Sequence, residues 1–243
     1  MAVVPYTNSG KSKKDQVEEM FDQISRRYDF LNHLLSLNID KVWRRKAIKL
    51  LRPHRPKNIL DIATGTGDFA IAAKKLNPEK VTGIDLSEGM LNVGQKKLKD
   101  RGLDNVIELR KADSENLPFA AGTFDAAIVA FGVRNFENLE KGLSEINRVL
   151  RPGGVFIVLE FSQPRKTPFR QLYFFYFNRI LPVLGRMVSK DSRAYTYLPE
   201  SVKEFPDGAA FISVLKKTGF EKCRWLPQTF GIASVYEAQK PEI

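Results

Sequence analysis

The sequence is poor in the residues that build disulfides and metal centres. It contains one cysteine, Cys223, among 243 residues, which excludes an internal disulfide and a metal site with several cysteine ligands. Its N-terminus lacks the apolar run of a secretory signal, and no apolar stretch is long enough to cross a bilayer. We therefore expect a cytoplasmic protein in a reducing compartment, attached at most peripherally to the inner face of a membrane, with no metal site.

Acidic residues are outnumbered by basic ones, with 39 lysines and arginines against 28 aspartates and glutamates. The formal net charge of +11 permits attraction to nucleic acid, to anionic lipid headgroups or to acidic solutes. The basic residues are spread through the chain and form no recognised nucleic-acid module, so we expect no nucleic-acid partner. A basic nucleic-acid-binding protein stays the alternative from a different class.

A glycine turn organises the chain. Residues 59–68 read Ile-Leu-Asp-Ile-Ala-Thr-Gly-Thr-Gly-Asp, which predicts a short buried strand that runs into a turn. Gly65 and Gly67 allow the tight turn and expose backbone N–H groups. Residues 69–76 have the spacing of a helix, and a helix N-terminus after a strand is a binding place for polar ligands.

The next predicted strand, residues 80–85, ends at an acid, Asp85. This acid lies roughly 20 residues beyond the turn, where α/β nucleotide-binding folds place a carboxylate on the ribose hydroxyls; a helix cap is the alternative. The turn lacks both the third glycine of the dinucleotide pattern and the Gly-Lys-Ser/Thr of a triphosphate site. Asp61 precedes the turn, and acids there suit a cationic or zwitterionic ligand better than a pyrophosphate.

The rest of the chain predicts an α/β fold. Further strands are predicted at residues 105–113, 124–131 and 155–161, with a turn at 151–154 and helices over 86–102 and 139–150. Five strands that alternate with helices indicate a parallel sheet with helices on both faces. A helix over 207–218 and an antiparallel strand pair, 219–226 with 232–238, are predicted to end the chain.

We expect one domain over residues 15–243, after a mobile basic tail at 1–14. Its predicted parts are an N-terminal helical cap (15–56), a nucleotide-binding core (57–161), a lid or insertion (162–205) and a C-terminal helix with a strand pair (206–243). The insertion contains an aromatic helix, 169–181, flanked by cations. Its apolar residues nearly encircle it, so something must cover it; ordinary burial within a cap is the alternative to a lid or a membrane anchor.

The stretch from Asp61 to Gly67 resembles the first motif of the class I S-adenosylmethionine-dependent methyltransferases, whose sheet is Rossmann-like. The resemblance implies S-adenosylmethionine as the cofactor. The cofactor-binding residues that it implies are Gly65 and Thr66 at the methionine part, Asp85 at the ribose, and Leu86, Asp113 and Ser114 at the adenine. A turn residue before the next loop is the alternative for Asp113.

Further segments narrow this resemblance. Phe131-Gly132-Val133-Arg134-Asn135, together with residues 151–154 and 159–164, resembles the C-methyltransferases of ubiquinone and menaquinone biosynthesis. Residues 27–44 are similar to the N-terminal signature of that family, and residues 195–201 to its late segment. The resemblance implies methylation of a ring carbon of a prenylated quinol, most like the conversion of demethylmenaquinol to menaquinol. A ubiquinone-precursor benzoquinol, another lipid-like aromatic and RNA stay alternative acceptors.

Three residues carry the catalytic hypothesis that follows from the resemblance. We expect Arg134 and Asn135 to face the acceptor ring, where Arg134 would stabilise the ionising hydroxyl. Tyr28 would close the site from the helical cap. A salt bridge that fixes the loop is the alternative for Arg134. The base that removes the hydroxyl proton is open among Asp29, His33, Asp113 and bound water.

A prenyl tail on the acceptor would explain why aromatic and basic residues occur together. Cations would hold the protein near anionic headgroups, and the helix over 169–181 would receive or cover the tail. We therefore expect a prenylated quinol substrate and transient contact with a membrane surface. A homodimer is left open.

Overall fold

The structure is a computed structural model that describes residues 3–7, 9–36, 38–176, 179 and 193–242, without the side chains of residues 26, 27, 30–35 and 193–196. Within this part of the chain, seven strands form one sheet in the order β3-β2-β1-β4-β5-β7-β6. The strands are β1 (Asn58–Ile62), β2 (Lys80–Asp85), β3 (Ile107–Lys111), β4 (Phe124–Ala130), β5 (Leu150–Phe161), β6 (Glu221–Gln228) and β7 (Ala233–Gln239). The α-helices of the described ranges are α1 (Lys13–Leu35), α2 (Ile39–Leu51), α3 (Asp68–Ala73), α4 (Glu88–Asp100), α5 (Leu139–Val149), α6 (Phe169–Phe175), α7 (Arg193–Glu204) and α8 (Ala209–Lys217).

The first five strands are parallel, and the last two are antiparallel. β1 pairs with β2 and β4, β2 with β3, and β4 with β5, all in parallel. β7 pairs antiparallel with both β5 and β6, so the terminal strand pair extends the same sheet. The α/β fold with a Rossmann-like parallel sheet is therefore confirmed.

Each face of the sheet carries its own layer of helices. Ile59 packs with Ala47 and Leu51 of α2, whereas the next residue, Leu60, packs with Ile146 of α5 on the opposite face. This alternation follows from the two-residue period of a strand. A buried aliphatic side chain of this kind contributes about 1.5–3 kcal/mol to folding, so the central strands hold the sheet edge firmly in place.

The predicted turn at residues 151–154 lies instead within β5. Leu150 pairs with Phe124, and Val155 already pairs with Ala126. Four residues of β5 therefore lie between partners that are two positions apart on β4, and the Pro-Gly-Gly segment bulges from the ladder. The pairing of Leu150 continues the strand beyond the point where the proline and glycines suggest an end.

The N-terminal and insertion regions differ from their predicted bounds. α1 begins at Lys13, so the predicted boundary after residue 14 falls inside a helix. The predicted aromatic helix is represented by α6, while positions 177, 178, 180 and 181 of that prediction lie outside the described residues. No helix in the described ranges is long and apolar enough to cross a membrane.

Candidate active site

The glycine turn brings the end of β1 next to the end of β2. Gly65 and Gly67 have φ values of 56° and 82°, the left-handed region that glycine tolerates best. The Gly65 N–H donates to one oxygen of Asp85 at 2.8 Å, and the Ser87 N–H donates to the other at 2.9 Å. Desolvation by the surrounding protein raises the pKa of the Asp85 carboxyl, while these two backbone donors oppose that rise. Each carboxylate oxygen keeps a lone pair for a ligand hydroxyl.

One cavity gathers most of the predicted site residues. It occupies about 660 Å³, including the part open to solvent, and lies at the carboxyl ends of the central strands. Its walls include seven predicted residues: Tyr28, Gly65, Asp85, Leu86, Asp113, Ser114 and Asn135. Open α/β sheets bind their ligands at this edge. The roles of these residues stay predictions, but their proximity is a feature of the fold.

The side chain of Thr66 is buried in a polar network rather than on the cavity wall. Its hydroxyl donates to Asp29 at 2.5 Å and accepts from the Lys97 ammonium at 2.9 Å. The same ammonium pairs with Asp29 at 2.5 Å and with Asp68 at 2.9 Å. Thr66 thereby ties the glycine turn to α1 and α4.

Arg134 also lies behind the wall. Its side chain is 7% exposed and pairs with the fully buried Glu160 at 3.0 Å. Burial raises the pKa of the Glu160 carboxyl, and the guanidinium of Arg134 opposes that rise. The guanidinium also donates to the carbonyl of Phe131 and, through Nε, to the hydroxyl of Ser201 at 3.3 Å. The ion pair considered as the alternative for Arg134 is thus present, and the role toward the acceptor ring stays a prediction.

Asn135 does reach the cavity, and a helix from the insertion holds it. The Tyr197 hydroxyl of α7 donates to Asn135 Oδ1 at 3.2 Å. Burial raises the pKa of Tyr197 to about 12, so the phenol keeps its proton and remains a donor near neutral pH. The Arg134-Asn135 segment is therefore fixed from both sides, by Glu160 of β5 and by α7.

Several wall residues that the sequence analysis missed come from α1. Lys14 pairs with Asp113 at 2.6 Å and lies 3.7 Å from Glu115. Further along the helix, Glu18 pairs with Lys111 at 2.7 Å. In the sequence analysis, Lys14 lies in the predicted tail and Glu18 has no role.

A second contact of α1 is the cap that it supplies to α4. Asp22 accepts from the Ser87 hydroxyl at 2.6 Å and from the Gly89 N–H at 2.9 Å. The sequence contains one signal for these contacts, the spacing of the charged residues. Lys14, Glu18 and Asp22 recur every four residues and Asp29 follows seven later, which places all four on one helix face.

Aromatic side chains form the other wall of the cavity. Phe21, Tyr28, Phe131 and Phe136 all line it. The Phe131 ring packs on the Phe161 ring, with centroids 4.4 Å apart. The Trp43 ring also packs on Phe131, with centroids 6.3 Å apart. Such a wall suits a flat apolar ring, because aromatic pairs gain from stacked or edge-on contact in addition to burial. The cavity therefore joins a polar, acidic side to an aromatic side.

Comparison with known families identifies the group to which this architecture belongs. Residues 9–240 match the ubiE/COQ5 methyltransferase family. The chain belongs to this family. It is therefore a methyltransferase, and the sequence-based resemblance to this family is confirmed.

Curated relatives match nearly the whole chain. The demethylmenaquinone methyltransferase of Bacteroides fragilis is 50% identical over 98% of this chain and 97% of its own length. The protein of that name from Porphyromonas gingivalis is 42% identical, over 98% of both chains. The ubiquinone/menaquinone biosynthesis C-methyltransferase UbiE of Geobacter sulfurreducens is 44% identical over 94% of this chain and 90% of its own.

Solved structures share the fold at low sequence identity. A possible histamine N-methyltransferase of Thermotoga maritima, an S-adenosylmethionine-dependent enzyme, has a TM-score of 0.63 at 20% identity, covering 92% of this chain and 99% of that one. The [4+2]-cyclase SpnF has a TM-score of 0.65 at 18% identity, covering 94% and 97%. A methyltransferase and a cyclase on one fold show that the reaction must be argued from the site.

Proposed function

We propose that this protein transfers the methyl group of S-adenosylmethionine to a ring carbon of demethylmenaquinol, giving menaquinol and S-adenosylhomocysteine. The observation that carries the proposal is the near-complete match to two relatives named demethylmenaquinone methyltransferase. The cavity supports it, because predicted donor residues and an aromatic wall face the same space. A donor and a flat ring acceptor can therefore meet there.

The residues fit a positively charged donor. Asp61 is fully buried, and its Oδ1 has no hydrogen-bond partner within the described part of the chain. Its other oxygen accepts from the Thr64 hydroxyl at 2.6 Å. A buried, unpaired carboxylate oxygen is costly unless a ligand completes it, and an ammonium group would do so. Asp85 would hold the ribose, Leu86, Asp113 and Ser114 the adenine, and Thr66 the turn at the methionine part.

The chemistry requires alignment of two reactants and stabilisation of one charge. When bound, S-adenosylmethionine supplies an electrophilic methyl group on a sulfonium. The acceptor carbon becomes nucleophilic when the neighbouring hydroxyl loses its proton. After the carbon–carbon bond forms, the ring hydrogen leaves as a proton and the oxygen regains a proton, which restores the aromatic quinol. One proton is released overall. Holding the reactants in line supplies much of the rate enhancement.

The chain's own residues divide these tasks. Asn135 faces the acceptor ring from the cavity wall, and Arg134 supplies positive charge behind it as the oxygen ionises. Tyr28 lies on α1 above the cavity and helps to exclude water from the donor methyl. The Glu160 and Tyr197 contacts keep the Arg134-Asn135 segment in one orientation.

An assay with labelled methyl donor tests the reaction. The protein is incubated with methyl-¹³C S-adenosylmethionine and either a prenylated naphthoquinol or a prenylated benzoquinol, and the products are examined by mass spectrometry and NMR. We expect the label on a ring carbon of the naphthoquinol. Methylation of the benzoquinol alone would favour the ubiquinone precursor as substrate, and a label on oxygen would contradict carbon transfer.

We also propose transient contact with a membrane surface through an exposed apolar patch, formed by Phe169, Leu172, Phe175 and Phe230. Leu172 and Phe230 are each 66% exposed and Phe175 is 57% exposed. Phe169 and Phe230 stack with centroids 3.7 Å apart. Exposed cations on the same segment, Arg165, Lys166 and Arg170, complement anionic headgroups.

Vesicle sedimentation tests the patch. Substituting Phe175→Ser and Phe230→Ser should release the protein from anionic vesicles, and added salt should weaken binding of the unaltered protein. Val42→Ser changes an exposed apolar residue outside the patch and is the matched control. Equal binding of all three proteins would contradict the proposal. A homodimer, left open by the sequence, is tested by analytical ultracentrifugation of the unaltered protein.

A further inference from the structure

Arg44 of α2 is a buried cation with an incomplete set of partners. It is 8% exposed. One end of its guanidinium pairs with Asp40, one turn earlier on the same helix, and Asp40 also accepts from the Ser36 hydroxyl at 2.7 Å. Within the described residues, however, the buried Nε of Arg44 has no hydrogen-bond partner. Leaving a buried N–H of a charged group without a hydrogen bond costs free energy. We therefore expect a ligand atom to accept a hydrogen bond from Arg44 Nε.

The unpaired atom of Arg44 has a counterpart of opposite polarity on β1. Asp61 lies on the face of the sheet that α2 covers, because strand alternation places it on the side of Ile59. Burial raises the pKa of the Asp61 carboxyl, and the Thr64 hydroxyl, the backbone N–H of Ala70 and the charge of Arg44 oppose that rise. The pair thus offers one free N–H donor and one free carboxylate oxygen in the same buried region.

This region adjoins the cavity through Phe131. The Arg44 guanidinium lies 5.5 Å from the centroid of the Phe131 ring, and Phe131 is also a wall of the cavity. An α-amino acid carries one carboxylate and one ammonium group on the same carbon atom. These two groups match the free donor of Arg44 and the free acceptor of Asp61.

We propose that Arg44 binds the α-carboxylate of the donor's methionine tail, while Asp61 binds its ammonium. Asp40 is the positioning residue that orients the guanidinium and leaves Nε for the ligand. The inference rests on the proposed function, since it takes S-adenosylmethionine as the donor. It gives α2, which contributes none of the residues predicted for cofactor binding, a direct role in holding the cofactor.

Binding of two nucleosides that differ only in the carboxylate tests the proposal. Calorimetry compares S-adenosylmethionine with its decarboxylated form, for unaltered protein and for Arg44→Met. We expect the unaltered protein to prefer the complete molecule by about 10- to 100-fold, the range of one or two charge-assisted hydrogen bonds. Arg44→Met should remove that preference by weakening only the complete molecule.

A second variant covers the risk that Arg44→Met leaves Asp40 buried without its cation. Asp40→Asn with Arg44→Met removes both charges and should show the same loss of preference. Arg45→Ala, at the exposed neighbouring position, is the matched control and should keep it.

The outcomes separate the two levels of the proposal. If both nucleosides bind the unaltered protein and Arg44→Met weakens them equally or not at all, the role of Arg44 is overturned while the donor assignment stands. Failure of S-adenosylmethionine itself to bind the folded, unaltered protein overturns the donor assignment and the Arg44 role with it.

Discussion

The edge of the sheet and the helices that cover it are built in different ways. At the edge, the carboxylate of Asp85 accepts hydrogen bonds from the backbone N–H groups of Gly65 and Ser87. Gly65 belongs to the turn after β1, and Ser87 lies two residues after Asp85. The cover, which we define as α1, α6 and α7, is attached through side chains. Asp22 of α1 reaches Ser87 across 65 positions of sequence, and Ser201 of α7 reaches Arg134 across 67.

This difference predicts a division of labour. The edge is held by the core and should set donor affinity and turnover. The cover has a small apolar cluster of its own, around Val17, Met20 and Tyr173, and the polar contacts named above join it to the edge, so it should loosen without unfolding the sheet. Substitutions in the two regions should therefore differ in both size and kind of effect.

The largest effect is expected at Arg134, in the loop that follows β4. Substituting Arg134→Met together with Glu160→Gln avoids leaving an unpaired buried carboxylate. We expect kcat to fall by about 1,000-fold, because a charge that stabilises the developing oxyanion is lost. Affinity for S-adenosylhomocysteine, measured by calorimetry, should change less than about threefold. Equal losses in turnover and affinity would mean that the ion pair only shapes the site.

The next effect concerns the donor alone. Asp85→Asn should weaken binding of S-adenosylhomocysteine by about 100-fold, because two charge-assisted hydrogen bonds to the ribose become weaker. Isothermal titration calorimetry measures the change. Asp104→Asn, at an exposed position, is the matched control, and a comparable weakening there would argue against a specific contact.

A pH-dependent effect is expected at Asp61. Burial raises the pKa of its carboxyl from 3.8 to about 7 in the folded protein. Since the folded state holds this proton more tightly than the unfolded state, its contribution to stability is present below pH 4 and is lost as pH rises through 7. The free energy of unfolding should fall by at most about 1.4 kcal/mol per pH unit in this window, relative to Asp61→Asn.

Urea denaturation of the unaltered protein and of Asp61→Asn, at several pH values from 4 to 8, measures this difference. A constant offset between the two proteins across that range would show that the carboxyl does not change its ionisation on folding. The amide can still accept from Thr64, so the turn itself should persist in the variant.

The smallest effect is expected in the cover. Asp22→Ala removes the acceptor for the Ser87 hydroxyl and the Gly89 N–H at the start of α4. We expect a loss of about 1 kcal/mol in unfolding free energy. Compared with the unaltered protein, amide exchange should become faster in α1 but not in β1. Gln23→Ala, an exposed neighbour on α1, should have no such effect. Unchanged exchange in α1 would mean that its apolar face alone holds it.

The same contrast explains what could be predicted from the sequence. β2 was predicted with the bounds that it has, Lys80–Asp85, because its β-branched Val81, Thr82 and Ile84 are a local signal for a strand. The glycine turn and the gathering of Asp85 with Asp113 followed from the rule that strand ends meet at one edge of the sheet.

What could not be predicted depends on contacts between distant residues. The burial of the Arg134 side chain follows from Glu160 and Ser201, whose approach no local pattern encodes. The partnership of Lys14 with Asp113 requires knowledge of where α1 lies over the sheet. The unpaired Nε of Arg44 is visible only once the packing of α2 is known.

The measurement that tests the central claim most directly is a crystal structure with S-adenosylhomocysteine. The account predicts the nucleoside inside the cavity under α1, with its ribose hydroxyls within hydrogen-bond distance of the Asp85 oxygens and its thioether directed toward the aromatic wall. Electron density for the nucleoside outside this cavity, or a ribose that makes no contact with Asp85, would contradict it.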